Sequence, residues 1–341
     1  MKRNLTPAQA RLPIWEKAKK ERRKNRFIRL FILLLLILVA VNLSLRLPAI
    51  IKNIKDPFDR FPSEELKTAK LDYTFRLNIL LISYKSNNLE EAAIATYDPA
   101  DKRLKIVSFD LKNNPKLKNK INTLFIERGV GELQKYISGA LAVPIDRYAA
   151  FENKELNFNY EEVAKIKKSL NSPLFIFKLP GSWGVLKKIL KTNLSLPEIW
   201  SLFLKVKSAN FENSDFVSLE KVTDYDLQSE EVASFLGNLF LDKEILEEGA
   251  SLSIQNSSGE AGLGTILADY LTHIGANVVF REATNKVEKK NVLIVKNSKS
   301  KIEKRLQTII TFQKKGLKKE DFPGDILIIL GEEAAKELTL P

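Results

Sequence analysis

The chain contains no cysteine, a single histidine and a single methionine in 341 residues. Without cysteine there is no disulfide framework, no thiol nucleophile and no thiolate zinc site. With His273 alone there is no histidine cluster for zinc and no second histidine for a relay. Its place near the end of a predicted helix marks it as a structural or surface residue. Chemistry in this chain would have to use carboxylates, lysine, arginine, hydroxyls or a hard metal ion bound through oxygen.

Charge is also absent from one long stretch. Leu30 to Leu45 is a run of 16 residues with no charged side chain, bounded by Arg29 and Arg46. At about 1.5 Å per residue it is short for a bilayer core of about 30 Å, but snorkelling of the flanking arginines extends it to Phe27 through Leu47. Upstream lie eleven Lys or Arg against Glu16 and Glu21, a net charge of +9. The positive-inside rule then keeps residues 1–29 cytoplasmic and sends the rest outside. The segment after the run, SLRLPAIIKN, has no small-x-small cleavage pattern, so an uncleaved signal anchor is expected rather than a removed signal peptide.

That partition explains the overall basicity. The chain carries +13, and subtracting the +9 of the tail leaves +4. Such a remainder is an ordinary surface and does not indicate a nucleic-acid partner. The remaining Lys-rich patches lack interleaved aromatics for base stacking.

The pattern predicts an α/β protein: a cytoplasmic tail over 1–29, a transmembrane helix over 30–47, a proline-bearing stalk over 48–72, an α/β domain over 73–220, a linker over 221–248 and a small α/β sandwich over 249–336. In the first domain strands are expected at Leu77–Ser83, Ala92–Tyr97, Arg103–Phe109 and Arg147–Phe151. The polar stretch YKSNNLEE is expected as a loop between the first two strands, and Asp98-Pro99-Ala100-Asp101 as a turn between the next two. A Lys/Asn-rich loop then leads to a helix from about Gly131 to Leu141. In the second domain the order is strand, Gly-rich turn, helix, strand, then strand, helix, strand, with Gly275 stopping the first helix.

Several motifs of the first domain occur in a telling order: YDP, VSFD, KIN, GVGEL and VPIDRYAAFE, followed later by KTNLSLPEIWSLFL. This series resembles the extracellular catalytic domain of LytR-CpsA-Psr (LCP) proteins over roughly Leu77 to Glu220. The resemblance implies a single-pass protein of the cell envelope that transfers glycopolymer from a polyprenyl pyrophosphate carrier to the wall. It also implies Asp and Arg residues that hold a divalent cation and the pyrophosphate. At the corresponding positions this sequence has Lys85, Asn88 and Glu90, and Asp110-Leu111-Lys112 stands where Pro-Arg-Asp is expected. The Arg-rich segment expected between about 170 and 190 is replaced by SPLFIFKLPGSWGVLKK.

A pyrophosphate needs fixed guanidinium forks, and a hard cation needs converging carboxylates. The candidates left for catalysis are Lys85, Glu90, Arg103 and Lys112, and for a metal ion Glu90 and Glu91. If the site works, these five should converge at the mouth of an apolar cleft, with Mg²⁺ as the cofactor. If it does not, the domain is a degenerate, non-catalytic binding or scaffolding module and no cofactor is expected. The expected partners are the membrane and cell-wall glycopolymer or a polyprenyl-linked precursor.

The second domain resembles the LytR C-terminal domain through Ile254-Gln255-Asn256-Ser257-Ser258-Gly259, Ala261-Gly262-Leu263-Gly264 and Ile329-Leu330-Gly331-Glu332. The turn residues Asn256, Gly259, Gly262 and Gly264 could hold phosphate at a helix N-terminus. Their spacing, GxxGxG, fits neither dinucleotide nor Walker patterns, which favours a tight strand-to-helix turn.

Overall fold

The fold is that of a computed structural model. It describes residues 58–59, 61, 71–109, 111–152, 158–172, 187–219, 236–296, 300–314 and 322–338. The basic tail, the apolar run and most of the stalk lie outside these residues. Among the described residues no helix is long and apolar enough to cross a membrane. All of them belong to one compact unit, Asp56–Pro341, built on two sheets.

The first sheet contains β1 (Leu77–Lys85), β2 (Asn88–Asp98), β3 (Arg103–Phe109), β4 (Arg147–Glu152), β5 (Leu190–Thr192) and β6 (Phe216–Ser218), in the order β5-β4-β1-β2-β3-β6. β1 runs antiparallel to β2 and parallel to β4. Its alternation serves two cores. Leu80, Ile82 and Tyr84 face the cluster that α1 (Pro115–Leu141) covers, while Leu77, Ile79 and Leu81 pack on the other face with residues of α2 (Tyr160–Asn171) and α3 (Leu196–Ser208).

Two expectations are corrected here. YKSNNLEE is not a loop: the chain reverses at Ser86 and Asn87, both at positive φ (48° and 65°), and both strands run up to that turn. Two successive left-handed residues match the twist of the flanking strands, so the hairpin closes in two residues. The Lys/Asn-rich stretch is not a loop either. It starts α1, with Asn114 Oδ1 accepting from Leu117 N (3.0 Å) and Pro115 opening the first turn. Gly129 interrupts the helix at φ 83°, ψ 178°, so the expected helix is only its second half. Leu117, Ile121 and Phe125 give the first half its buried face.

The second sheet has β7 (Ser251–Asn256), β8 (Asn277–Ala283), β9 (Val292–Val295), β10 (Gln313–Lys314) and β11 (Ile326–Leu330), ordered β10-β9-β11-β7-β8. The helices α4 (Lys243–Glu248), α5 (Leu263–His273), α6 (Lys301–Ile309) and α7 (Ala334–Glu337) complete this lobe. β7-α5-β8 is the expected parallel unit. The second unit departs from expectation: the two-residue β10 pairs with β9, and β11 inserts between β9 and β7, antiparallel to β9. Gly275, at φ 95°, follows α5 as expected, and a Cβ there would stand 3.0 Å from Leu241 Cδ2. Part of the expected linker is packed, since Leu236 and Phe240 are buried in the first core and Asp242 caps α4 while accepting from Arg76 N (2.9 Å).

The two lobes share a buried polar seam. Arg305 of α6 donates to Asp146 Oδ1 at 2.7 Å, and both side chains are almost wholly buried. Tyr270 donates to Ser138 Oγ (3.0 Å), and burial pushes its hydroxyl well above the ordinary tyrosine range. His273 is structural, and its role is specific. Its Nδ1 lies 3.2 Å from the carbonyl oxygen of Leu141 and 3.1 Å from that of Ala142, at the C-terminus of α1. Nδ1 between two carbonyls must carry the proton, so the ring caps orphan acceptors of a helix in the other lobe. His273→Ala should therefore lower stability by about 1 kcal/mol in urea unfolding, whereas Asn, which also presents an N–H donor, should recover part of it.

Candidate functional site

The parallel strands β1 and β4 end side by side at Tyr84 and Glu152. In open sheets this carboxyl-end edge is where ligands bind. The start of β2 and the end of β3 lie along the same edge, because β2 is antiparallel to both its neighbours. The β1–β2 register shifts so that Glu91 opposes Ser83 and Leu89 opposes Tyr84. Glu90 is therefore the extra residue of a bulge, a device that re-aims side chains.

Four of the five expected residues sit at this end, but as separate pairs. Lys85 is exposed at the hairpin tip. Glu90 faces Lys118 at 3.8 Å, and Glu91 binds Lys112 at 2.9 Å while its other oxygen accepts from Phe158 N at 2.8 Å. The expected common mouth fails at Arg103. Arg103 opposes Asp98 at the far end of β2, seven residues and about 24 Å from Glu91. There it binds Asp215 at 2.5 Å and Glu212 at 2.9 Å, and the Asp215 hydrogen bond holds its pKa above the usual value. Its guanidinium is a structural clamp on the turn before β6.

The sequence reading missed three residues at the same edge. Tyr84 donates to Glu152 Oε2 at 3.1 Å, and Lys191 Nζ lies 3.3 Å from that oxygen. The Lys191 ammonium also sits 5.0 Å from the Phe61 ring centre and 5.5 Å from that of Tyr84. Burial pushes the Tyr84 hydroxyl up. Burial alone would push Lys191 down, but its bonds to Tyr84 and Glu152 outweigh it and raise the ammonium. Beneath lies an aromatic nest: Phe61 packs on Tyr84, Phe125 and Tyr148 with ring centres 5.5 to 6.2 Å apart. The available signal was the strand pattern itself, because Tyr84 continues the inward alternation Leu80, Ile82 and Glu152 directly follows YAAF.

Chemically, the edge offers lysines as point charges, and Lys112, Lys118 and Lys191 each stand beside a carboxylate. Lysine attracts phosphate but cannot grip it as a fork. Glu90 and Glu91 turn to different lysines, and among the described residues no group of three or more His, Cys, Asp or Glu is placed to hold a metal ion.

The glycine turn of the second lobe is closed on itself. Asn256 Oδ1 accepts from Ser258 N (3.2 Å) and Ser258 Oγ (2.6 Å), and Asn256 Nδ2 donates to the carbonyl oxygen of Glu260 (2.8 Å). Gly259 and Gly262 have φ of 81° and 87°, and a Cβ on Gly264 would meet Asn256 Cβ at 3.4 Å. These constraints account for the glycines through backbone geometry and packing alone.

No family model and no curated protein matches the chain. Solved structures do. TagT of B. subtilis is similar at 15% identity and TM-score 0.28, over 47% of this chain and 84% of that one. B. subtilis TagV is similar at 15% identity and TM-score 0.30, over 42% and 83%. A further structure is the LytR-CPS2A-psr family protein YwtF (TagT) with bound octaprenyl pyrophosphate lipid, at 14% identity and TM-score 0.27, over 47% and 83%. At identities of 14–15% and TM-scores of 0.27–0.30 these likenesses carry no argument about what this chain does.

Proposed function

We propose that this chain is a membrane-anchored, extracytoplasmic envelope protein of LCP type that binds or scaffolds in cell-wall biogenesis without transferring glycopolymer. The reading is carried by the pairing at the sheet edge. Glu90, Glu91 and Glu152 each stand beside a lysine, and Arg103, the one guanidinium among the candidates, is committed to Asp215 about 24 Å away. Phe61 packed into the aromatic nest supports it further. The anchoring rests on the charge-free run between Arg29 and Arg46 and its basic flank. A LytR C-terminal assignment for the second lobe rests on its sequence motifs.

The alternative, a polyprenyl-pyrophosphate-dependent transferase, draws its support from the bulge at Glu90 and the lysine-rich edge. One assay separates the two. The whole chain in detergent, given Mg²⁺ and a polyprenyl pyrophosphate substrate, is expected to release no more phosphate than its Glu90→Ala/Lys112→Ala variant. Release above that control would overturn the non-catalytic reading.

A further inference from the structure

The candidate edge is already occupied by the chain itself. Phe58, Asp59 and Phe61 precede the first strand, and the Phe61 ring lies on those of Tyr84, Phe125 and Tyr148. Those three are 1%, 5% and 0% exposed, whereas Phe61 is only half-buried and forms the outer layer over them. Lys191 Nζ closes another side, 5.0 Å from the Phe61 ring centre. At the same mouth the side chains of Lys191 and Glu152 keep 30% and 33% of their surface exposed. The polar rim is therefore open to solvent while the apolar floor is shut by one side chain.

The location gives this contact its meaning. Tyr84 and Tyr148 belong to β1 and β4, the parallel strands whose carboxyl ends form the crevice that an open sheet offers to ligands. An apolar group bound there needs the volume that Phe61 fills. The segment is also held more lightly than the lobe it covers. Asp59 forms an isolated bridge with Lys191, and Thr192 N donates to the Asp59 carbonyl oxygen at 3.1 Å. β5, which supplies both partners, has 3 residues at the rim of the sheet, against 9 and 11 for β1 and β2 at its centre. Local opening reaches such short outer elements before it reaches a central ladder.

We propose that this segment is an autoinhibitory strap: Phe61 plugs the apolar pocket of the edge, and the strap must lift before a ligand with an aromatic ring or an aliphatic chain can enter. This regulation rests on the binding role proposed above. While the strap is seated, apparent affinity is lowered by the small fraction of chains in which it is open.

The full chain in detergent, with Phe61→Ala beside wild type, provides the test. In wild type, the Thr192 amide is expected to exchange its hydrogen by a local opening that low urea hardly changes, while exchange in the β1–β2 ladder follows unfolding of the lobe. In Phe61→Ala, Thr192 should lose protection by about tenfold or more with the ladder unchanged. The probe is 4-fluorobenzyl alcohol, whose ring replaces the one removed. Its fluorine NMR signal should show saturable binding to Phe61→Ala, beyond that to detergent alone, and binding to wild type about tenfold weaker or less. Phe61→Leu, which keeps an apolar plug, should retain Thr192 protection and exclude the probe. Loss of protection throughout the first lobe in Phe61→Ala would overturn the strap and make Phe61 ordinary core. Equal binding to wild type and Phe61→Ala, or binding to neither, would overturn the occlusion. Phosphate release from the polyprenyl pyrophosphate substrate by Phe61→Ala, absent in wild type, would instead uphold the strap and overturn the non-catalytic reading.

Discussion

Arg305→Ala is expected to cost the fold about 3–5 kcal/mol, the penalty for leaving a buried charge without its partner. Asp146 would be stranded. It is nearly inaccessible, and its remaining strong donor is the Asn78 backbone N–H at 2.8 Å. The pair also bridges two sheets, so its loss acts on the seam as well as on α6. Urea unfolding should show a lower midpoint and a transition that separates into two, because the lobes no longer support each other. Asp146→Asn combined with Arg305→Met should recover most of the loss, since the charge is removed from both sides and Asn can still accept from Asn78. A cost below about 1 kcal/mol, as for exposed pairs, would mean that water reaches the seam.

The four longer strands of the first domain were readable from their apolar runs, and the turn between β2 and β3 from its Asp and Pro. The hairpin at Ser86-Asn87 was hidden by composition. YKSNNLEE reads as polar loop, yet its backbone is strand up to a two-residue turn. Ladder pairing beside a buried β1 overrides the weak strand propensity of Asn and Glu. The first half of α1 was hidden in the same way by its lysines and asparagines. Leu117, Ile121 and Phe125, four residues apart, were the signal for it.

The site was less legible than the fold. Glu90, Glu91 and Lys112 lie along one edge, but sequence distance does not reveal that β3 begins at the opposite end from which β2 begins. Arg103 was misplaced for that reason. Lys191 was invisible for another: it lies more than one hundred residues from Tyr84 in sequence and reaches the edge only through the pairing of β5 on β4. The seam was likewise beyond sequence reasoning, because a lone histidine gives no sign that it will cap a helix of another lobe.

Glu198 is where the position of α3 is decided, and its replacement has the second largest expected effect. The carboxylate closes a capping box by accepting from Ser195 N at 2.8 Å. It also binds Arg147 at 2.7 Å and accepts from Leu71 N at 3.3 Å. Burial opposes its ionisation, but the bonds from Arg147 and Ser195 outweigh it and hold the carboxyl below its ordinary value. The unfolded chain therefore binds the extra proton first as pH falls. The stabilisation is fully present above the ordinary glutamate value of about 4.3 and is lost as pH drops through the lower, folded one. Glu198→Ala should cost about 3 kcal/mol at neutral pH, and the gap from wild type should narrow below about pH 4. A gap that stays constant through that range would assign the loss to packing rather than to the ion pair.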